Sequence, residues 1–542
     1  MWIAVLAAWL LCIRSIQPPL FLVMFDHTTS VLRQVVLLYF ICWLDFTWLC
    51  GIHQLAVVAC SSIRNDAIRH VSTDVAQTSR VAILYTTMND FSRRAALSCV
   101  NQSHPECHVF LLDDSTEPRY QALVDAFHAE HLFTTTIVRR QNRSGFKAGN
   151  LNHALQKVGS AYEFFAVCDA DGVLPSDFAS KTLTHFADEG VGFVQALQQP
   201  LREDIDTRFA RDLDTEVEIY WRQIVPASER FGFVMFHGHG GMIRTNVWRS
   251  AGGFPALVAE DLAFSTRARQ NGYRGVIAHD VICYEEFPTS YGSFAKRHLK
   301  YTRGACEHLR KEMWPFLLSR NVKWFEKADR LLASLAMLSS LPLLLFVVDC
   351  AFLFSGVFFV AGVSPPVFHR GGSIDFSWRF YLAMVGMLIT PLTPVICHLW
   401  GRPKALVRHL ANSVATHLSL VANEAWEIVG FVLLSKNSFP VTGDCGGSPG
   451  AVETASCSLR CELACVFLGC TVPVAAATLF SPSVLPISLA TVTGAAIRFF
   501  GWEHQIARIL IPLPAASVLV IIVFGCPWLA YGALIPLVGS PL

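Results

Sequence analysis

Charge is scarce in this 542-residue chain: 16% of the residues are charged and 53% are hydrophobic. That balance excludes an ordinary soluble enzyme, whose charged share runs nearer about 25%. Neither sign prevails, since 43 basic residues face 42 acidic ones for a net charge of +1. A nucleic-acid partner is thereby excluded, because it would need a basic face for its phosphates. A basic start is missing too: Met1-Trp2-Ile3-Ala4 carries no cation, so the first apolar stretch is expected to be an anchoring helix and not a cleavable signal. The 17 cysteines lack a compact framework of paired spacings, which points to free thiols in a reducing compartment.

The apolar residues that are present are concentrated at the two ends. Residues 2–24 and about 34–59 are each long enough to span a hydrocarbon core of roughly 30 Å as helices. Arg64, Arg69 and Arg80 follow the second run, and the positive-inside rule then places the central region, about 61–304, in the cytoplasm. Trp314, Phe316, Trp324 and Phe325 alternate with Lys311, Arg320, Lys323 and Lys327 over 305–341, a mixture suited to the membrane interface. Further spans are expected at 342–363, which contains Asp349, and at 380–400. The stretch 401–435 is apolar but broken by Arg408, His417, Asn423, Glu424 and Glu427, and reads as an interfacial helix. A Gly/Ser-rich loop at 443–450 and spans near 462–482, 484–497 and 509–535 complete the chain. Cys457, Cys461 and Cys465 share one helical face, where small residues let helices pack closely.

The central region alternates strand-like with helix-like stretches. Strands are expected at 81–87, 108–112, 135–138, 163–167 and 192–196, with helical patterns at 91–102, 118–130, 148–158 and 176–188 between them. That rhythm predicts an α/β domain built on a mixed, mostly parallel sheet, with ligands bound outside the strands' carboxyl ends. Its focus is Phe164-Phe165-Ala166-Val167-Cys168-Asp169-Ala170-Asp171-Gly172. A buried run ends there in two carboxylates one residue apart. Side chains two apart on an extended segment point the same way, so Asp169 and Asp171 suit one hard divalent cation.

Other motifs line up with that pair: Leu111-Leu112-Asp113-Asp114-Ser115, Phe146-Lys147-Ala148-Gly149-Asn150 and Val258-Ala259-Glu260-Asp261. Together with the flanking apolar helices they resemble the processive, membrane-integrated family 2 glycosyltransferases, the group of cellulose, hyaluronan and chitin synthases. The resemblance runs from about Val81 to Thr442. It implies a GT-A fold and inverting sugar transfer from a nucleotide-sugar to a growing β-glycan.

Carried over by position, the resemblance gives Asp113 or Asp114 to the nucleoside and Lys147 to its ribose or diphosphate. It gives Asp169 to the diphosphate side, Asp171 to a Mg²⁺ or Mn²⁺ ion, and the general base to Asp261 beside Glu260. A base is needed because a sugar hydroxyl is a poor nucleophile at neutral pH. The family's Gln-x-x-Arg-Trp motif appears altered as Arg297-His298-Leu299-Lys300-Tyr301. Lys300 there is a cation for the leaving diphosphate, with Arg297 beside it on the donor side, and Tyr301 is an aromatic face for the acceptor. His237 and Gly238, in Phe236-His237-Gly238-His239, stand where the family contacts the acceptor end, and the two histidines read as neutral hydrogen-bonding groups. Tyr220 and Trp221 are either sugar-stacking surface or core. Phe439, Val441 and Thr442 resemble a gating loop over the nucleotide.

The expected partners are a UDP-sugar donor, UDP-glucose foremost, a glycan acceptor and membrane lipid. An accessory export subunit is left open, and the expected location is a bacterial inner membrane. A non-processive transferase acting on a lipid or membrane acceptor, and an inactive transport or scaffold protein, are the alternatives.

Overall fold

A computed structural model describes residues 1–25, 31–61, 79–203, 208–289, 291–346, 386 and 389–434. The expected spans at 462–482, 484–497 and 509–535, most of that at 342–363 with Asp349, the gating loop and the three C-terminal cysteines lie outside the described residues. Two helices come first, α1 (Trp2–Met24) and α2 (Val31–Ser61), and they share an apolar cluster of Trp2, Val5, Leu20, Leu37, Phe40, Leu44 and Trp48. Gln17 donates from Nε2 to the Asp45 carboxylate between them, so the polar group placed inside α2 has a partner. Among the described residues one helix, Gln34–Ser61, is long and apolar enough by length and composition to cross a membrane.

The α/β domain follows the expected alternation: β1 (Val81–Thr87), α3 (Arg93–Val100), β2 (Cys107–Asp113), α4 (Pro118–Glu130), β3 (Thr135–Val138), α5 (Phe146–Val158), β4 (Phe164–Asp169), β5 (Gly172–Val173), α6 (Phe178–Thr184) and β6 (Val191–Pro200). Next come α7 (Arg208–Ile219), a π-helical turn at Tyr220–Ile224, α8 (Val225–Phe231), β7 (Gly241–Arg244), α9 (Thr245–Ser250), α10 (Glu260–Gln270) and β8 (Arg274–Glu285). The described part ends with α11 (Tyr291–Lys311), α12 (Met313–Leu318), α13 (Trp324–Met337), α14 (Thr393–His398) and α15 (Pro403–Leu434).

The eight strands form one mixed sheet in the order β3-β2-β1-β4-β7-β6-β8-β5. Pairings β1–β2, β2–β3, β1–β4 and β6–β8 are parallel, whereas β4–β7, β6–β7 and β5–β8 are antiparallel. β1 is buried on both faces, as its Val81-Ala82-Ile83-Leu84-Tyr85 run demands. Val81, Ile83 and Tyr85 join the core under α3 and α4, while Ala82 and Leu84 join the core under α5 and α10. This alternation sends every second side chain to the opposite layer. It also brings the carboxyl ends of β1, β2 and β4 to one edge, where the acidic residues stand.

Two features depart from the sequence expectation. Strands β7 and β8 were absent from it, and β7 is the antiparallel strand that joins the two parallel blocks. The helix expected at 176–188 stops at Thr184 and continues as a 3₁₀ turn over His185–Ala187. The ten described cysteines are free thiols, as expected.

Candidate active site

Lys147 is where four separated segments meet. Its Nζ lies 2.6 Å from Asp169 Oδ2 at the end of β4, donates to the Gly238 carbonyl at 2.8 Å, and stands 3.8 Å from Glu260 Oε1 at the start of α10. Asp169 Oδ1 accepts from Thr86 Oγ1 at 2.6 Å. Burial works against the Lys147 ammonium, but Asp169, Glu260 and Asp261 outweigh it and hold its pKa above the usual lysine value. Burial likewise opposes charge on Asp169, yet Lys147 foremost, followed by His239, keeps that carboxylate below its usual range.

Local backbone geometry delivers the lysine. Gly145 at the N-cap of α5 has φ 75°, a left-handed conformation that glycine adopts freely, and Phe146 follows it with φ 52°. Holding a phenylalanine there costs on the order of 1–3 kcal/mol and needs surrounding structure to enforce it. Arg140 supplies that structure, donating to the carbonyls of Ser144 at 2.7 Å and Phe146 at 2.8 Å. Asp114 in turn grips Arg140 bidentately, at 2.9 and 2.6 Å, with both side chains buried. Asp113 accepts from the Ser115 N–H and from Arg139 Nε. Each carboxylate oxygen of Asp113 and Asp114 thus accepts at least one hydrogen bond from within the protein. In this structure the pair braces the loop that presents Lys147.

Glu260 and Asp261 open α10, where carboxylates suit the positive end of the helix dipole. Asp261 Oδ1 accepts the Leu262 N–H at 2.7 Å. Gly238 has φ 77°, which favours glycine, and a Cβ placed on it would stand 3.3 Å from Asp261 Oδ2, a tight contact beside that oxygen. Burial raises the pKa of Asp261 against the Leu262 N–H, Lys147 and Lys300. Glu260 is pushed up to about 7 by burial, with Lys147 opposing and Asp261 adding to the shift.

The altered motif on α11 faces the same edge. Arg297 lies 3.3 Å from Glu285 of β8, and although burial disfavours its charge, Tyr301, Glu285 and Asp171 hold it firmly protonated. Lys300 acts electrostatically on both Glu260 and Asp261. Asp169 and Asp171 act on the same two neighbours, Asp90 and Glu285, both of which burial shifts upward. All the acidic, cationic and aromatic residues expected from the motifs, from Asp169 to Tyr301, thus gather at one edge of the sheet.

Beside them, the Tyr220 hydroxyl and His237 Nε2 share a hydrogen bond of 2.8 Å, and burial lowers His237 to about 4, leaving it neutral. Trp221 is core, packed with Val225 and Ile277, as one of its two expected readings had it. His239 is buried with its ring against Gly172, where any Cβ would overlap it. The Asp169 N–H donates to its Nδ1 at 3.4 Å, and its Nε2 has no hydrogen-bond partner.

Among the described residues no three His, Cys, Asp or Glu side chains stand together as a ready metal set. A Mg²⁺-type ion asks for less, since one or two carboxylates suffice when waters and substrate phosphates complete its shell. Asp169 and Asp171 fit that demand. Sequence reasoning missed Asp90, Glu285 and Arg140; for Asp90 a signal existed, since it lies just beyond the end of β1 in the same way that Asp171 lies just beyond β4.

An α/β sheet with carboxylates and cations collected at the carboxyl ends of its strands is the layout of a group-transfer enzyme acting on a charged donor. Residues 164–391 match the family model described as "Glycosyl transferase family group 2". The chain is 26% identical over 226 residues to a protein of Oryza sativa subsp. japonica named "Probable glucomannan 4-beta-mannosyltransferase 7", covering 40% of this chain and 38% of that one. It is 26% identical over 404 residues to "Glucans biosynthesis glucosyltransferase H" of Rhodopseudomonas palustris, covering 67% of this chain and 54% of the relative. The chain therefore spans about half or less of the length of these relatives. Among solved structures, the mannosyltransferase PcManGT from Pyrobaculum calidifontis, in complex with GDP-Man and Mn²⁺, aligns at 18% identity and TM-score 0.44, over 67% of this chain and 99% of that one. TarS 1–349 of S. aureus in complex with UDP aligns at 13% identity and TM-score 0.30, over 67% and 94%.

Proposed function

We propose that this protein is a membrane-bound inverting glycosyltransferase that polymerises a β-linked glycan from a nucleotide-sugar, with UDP-glucose as the donor, and passes the product across the bilayer. The observation that carries the reading is the meeting of Asp169, Glu260 and Asp261 around Lys147. The apolar helix Gln34–Ser61 supports the membrane setting, and the glucan and glucomannan names of the relatives support the product class.

In this reading the donor's diphosphate draws the Lys147 ammonium partly away from Asp169. Mg²⁺ or Mn²⁺ held by Asp169 and Asp171 supplies charge neutralisation for the departing nucleotide. Asp261, through its open Oδ2, takes the proton of the acceptor hydroxyl as the oxygen attacks the anomeric carbon. The bond from that carbon to the diphosphate breaks on the opposite face, which inverts the configuration. Lys300 and Arg297 offset negative charge on the leaving side, and Tyr301, 45% exposed, offers a face for an acceptor ring.

The test uses purified protein in lipid with labelled UDP-glucose, GDP-mannose and other nucleotide-sugars plus Mg²⁺ or Mn²⁺. Polymer from UDP-glucose is the expected result. A product longer by a single sugar would favour a non-processive transferase, and folded protein that turns over no donor would end the proposal.

A further inference from the structure

Helix α15 reads in sequence as an interfacial helix with polar interruptions, yet its polar side chains are bonded across to the α/β domain. Toward α7, Asn412 donates to Asp212 at 2.5 Å, Ser413 Oγ donates to Glu216 Oε1 at 2.6 Å, and His417 Nε2 stands 3.2 and 3.3 Å from the Glu216 carboxylate oxygens. Toward α11, Glu424 meets His298 at 3.3 Å and Glu427 meets Arg303 at 3.3 Å. Between the two sets, Leu420 and Phe294 are buried together, with Phe209 and Leu213 packed against them.

The two elements so joined carry the two sides of the expected acceptor region. Glu216 lies one helical turn before Tyr220, which bonds His237. His298 and Arg303 flank Tyr301, the aromatic face expected for the acceptor. Between Glu216 and the core of α8 the helix is π-wound at Tyr220–Ile224, and such turns are less regular than the α-helices on either side. An amphipathic helix seated by apolar contacts alone would leave Asn412, Ser413, His417 and Glu427 to water. Burial opposes charge on Glu216 and His417, but their pairing outweighs it for each.

We propose that α15 is a clasp that sets the spacing of the acceptor cleft, with Glu216 as the positioning residue on which the clasp closes. The inference rests on the glycosyl-transfer reading above. A misplacement of about 1 Å at a bound substrate costs up to about 10²-fold in rate, so loosening the clasp acts on acceptor use and not on donor binding.

The test measures UDP release and sugar transfer by the full chain in lipid nanodiscs, with UDP-glucose as donor and cellopentaose, laminaripentaose or membrane lipid extract as acceptor. Glu216→Ala is expected to raise the acceptor KM at least about tenfold while the donor KM and UDP affinity stay unchanged. The double exchange Glu216→His with His417→Glu is expected to restore most of the loss, which a general packing defect would not allow. Ser413→Ala, which removes a hydrogen bond, and Glu427→Gln, which removes the charge that faces Arg303, are expected to move the acceptor KM in the same direction by less, and they carry the test if Glu216→Ala does not fold. Unchanged acceptor KM in the folded variants, or donor and acceptor KM rising together, overturns the clasp. Wild-type protein that turns over no donor overturns the reading beneath it instead.

Discussion

Two strand ends in the same sheet finish in paired acids and are used differently. At the end of β2, Asp113 and Asp114 have every oxygen engaged, by Arg139, Arg140 and the Ser115 N–H. At the end of β4, Asp169 meets a lysine that also faces Glu260, and the exposed Asp171 reaches Arg297 only through longer-range attraction. Asp114 is held by the planar guanidinium fork of Arg140, which fixes one geometry, and Asp113 by Arg139 Nε and the Ser115 N–H. The second pair is answered by an ammonium on a flexible stem, a point charge that can be redirected to an incoming diphosphate. One acidic pair therefore stiffens the site, and the other is answered by a cation that a ligand can redirect.

Asp261→Asn gives the strongest test of this division. Loss of a general base is expected to lower kcat by about 10²–10⁴-fold without altering folding, checked by steady-state transfer and circular dichroism; activity within a few-fold of wild type would remove Asp261 from the chemistry. Lys147→Met comes next. It strips the cation from three carboxylates, and kcat/KM for the donor is expected to fall by about 10²-fold. Because Lys147 lowers the pKa of both Glu260 and Asp261, the same variant should also move the acid limb of the pH–rate profile upward.

Asp114→Asn probes the first pair. Breaking a buried ion pair from one side costs about 3–5 kcal/mol of stability, visible as a lowered midpoint in denaturant, and the loosened Phe146 turn should raise the donor KM. A smaller effect is the position of the wild-type acid limb. The base works only when deprotonated, and burial raises the Asp261 pKa, so kcat should begin to fall on acidification at a pH above the ordinary aspartate range. A profile flat down to that range would contradict the assignment. Arg139→Gln should have a smaller effect than Asp114→Asn, because Arg139 is 37% exposed, although the Asp113 carboxylate it meets is buried.

The legible and illegible parts of the chain divide along physical lines. Strand β3 and helix α4 appear with the bounds the sequence suggested, Thr135–Val138 and Pro118–Glu130, because Pro118 sets the helix start and the β-branched Thr135-Thr136-Ile137-Val138 run favours a strand. Strand β8 was hidden because His279 and Asp280 interrupt its apolar run where its register against β6 shifts between Ala196 and Leu197. Strand β7 was hidden by brevity, at four residues. At the site, Lys147, Asp169, Glu260 and Asp261 were legible as separate motifs, but Arg140 carried no motif.

By itself the sequence determined the alternation of strands and helices, the acidic strand ends and the apolar flanks, because these depend on residue type and on spacing along the chain. Only the tertiary structure decided which acids were to be neutralised by arginine and which by Lys147, and that the polar face of α15 would meet protein. Both outcomes depend on which distant groups arrive within a few ångströms, and electrostatic and hydrogen-bond energies depend on that distance and on burial, neither of which local sequence records.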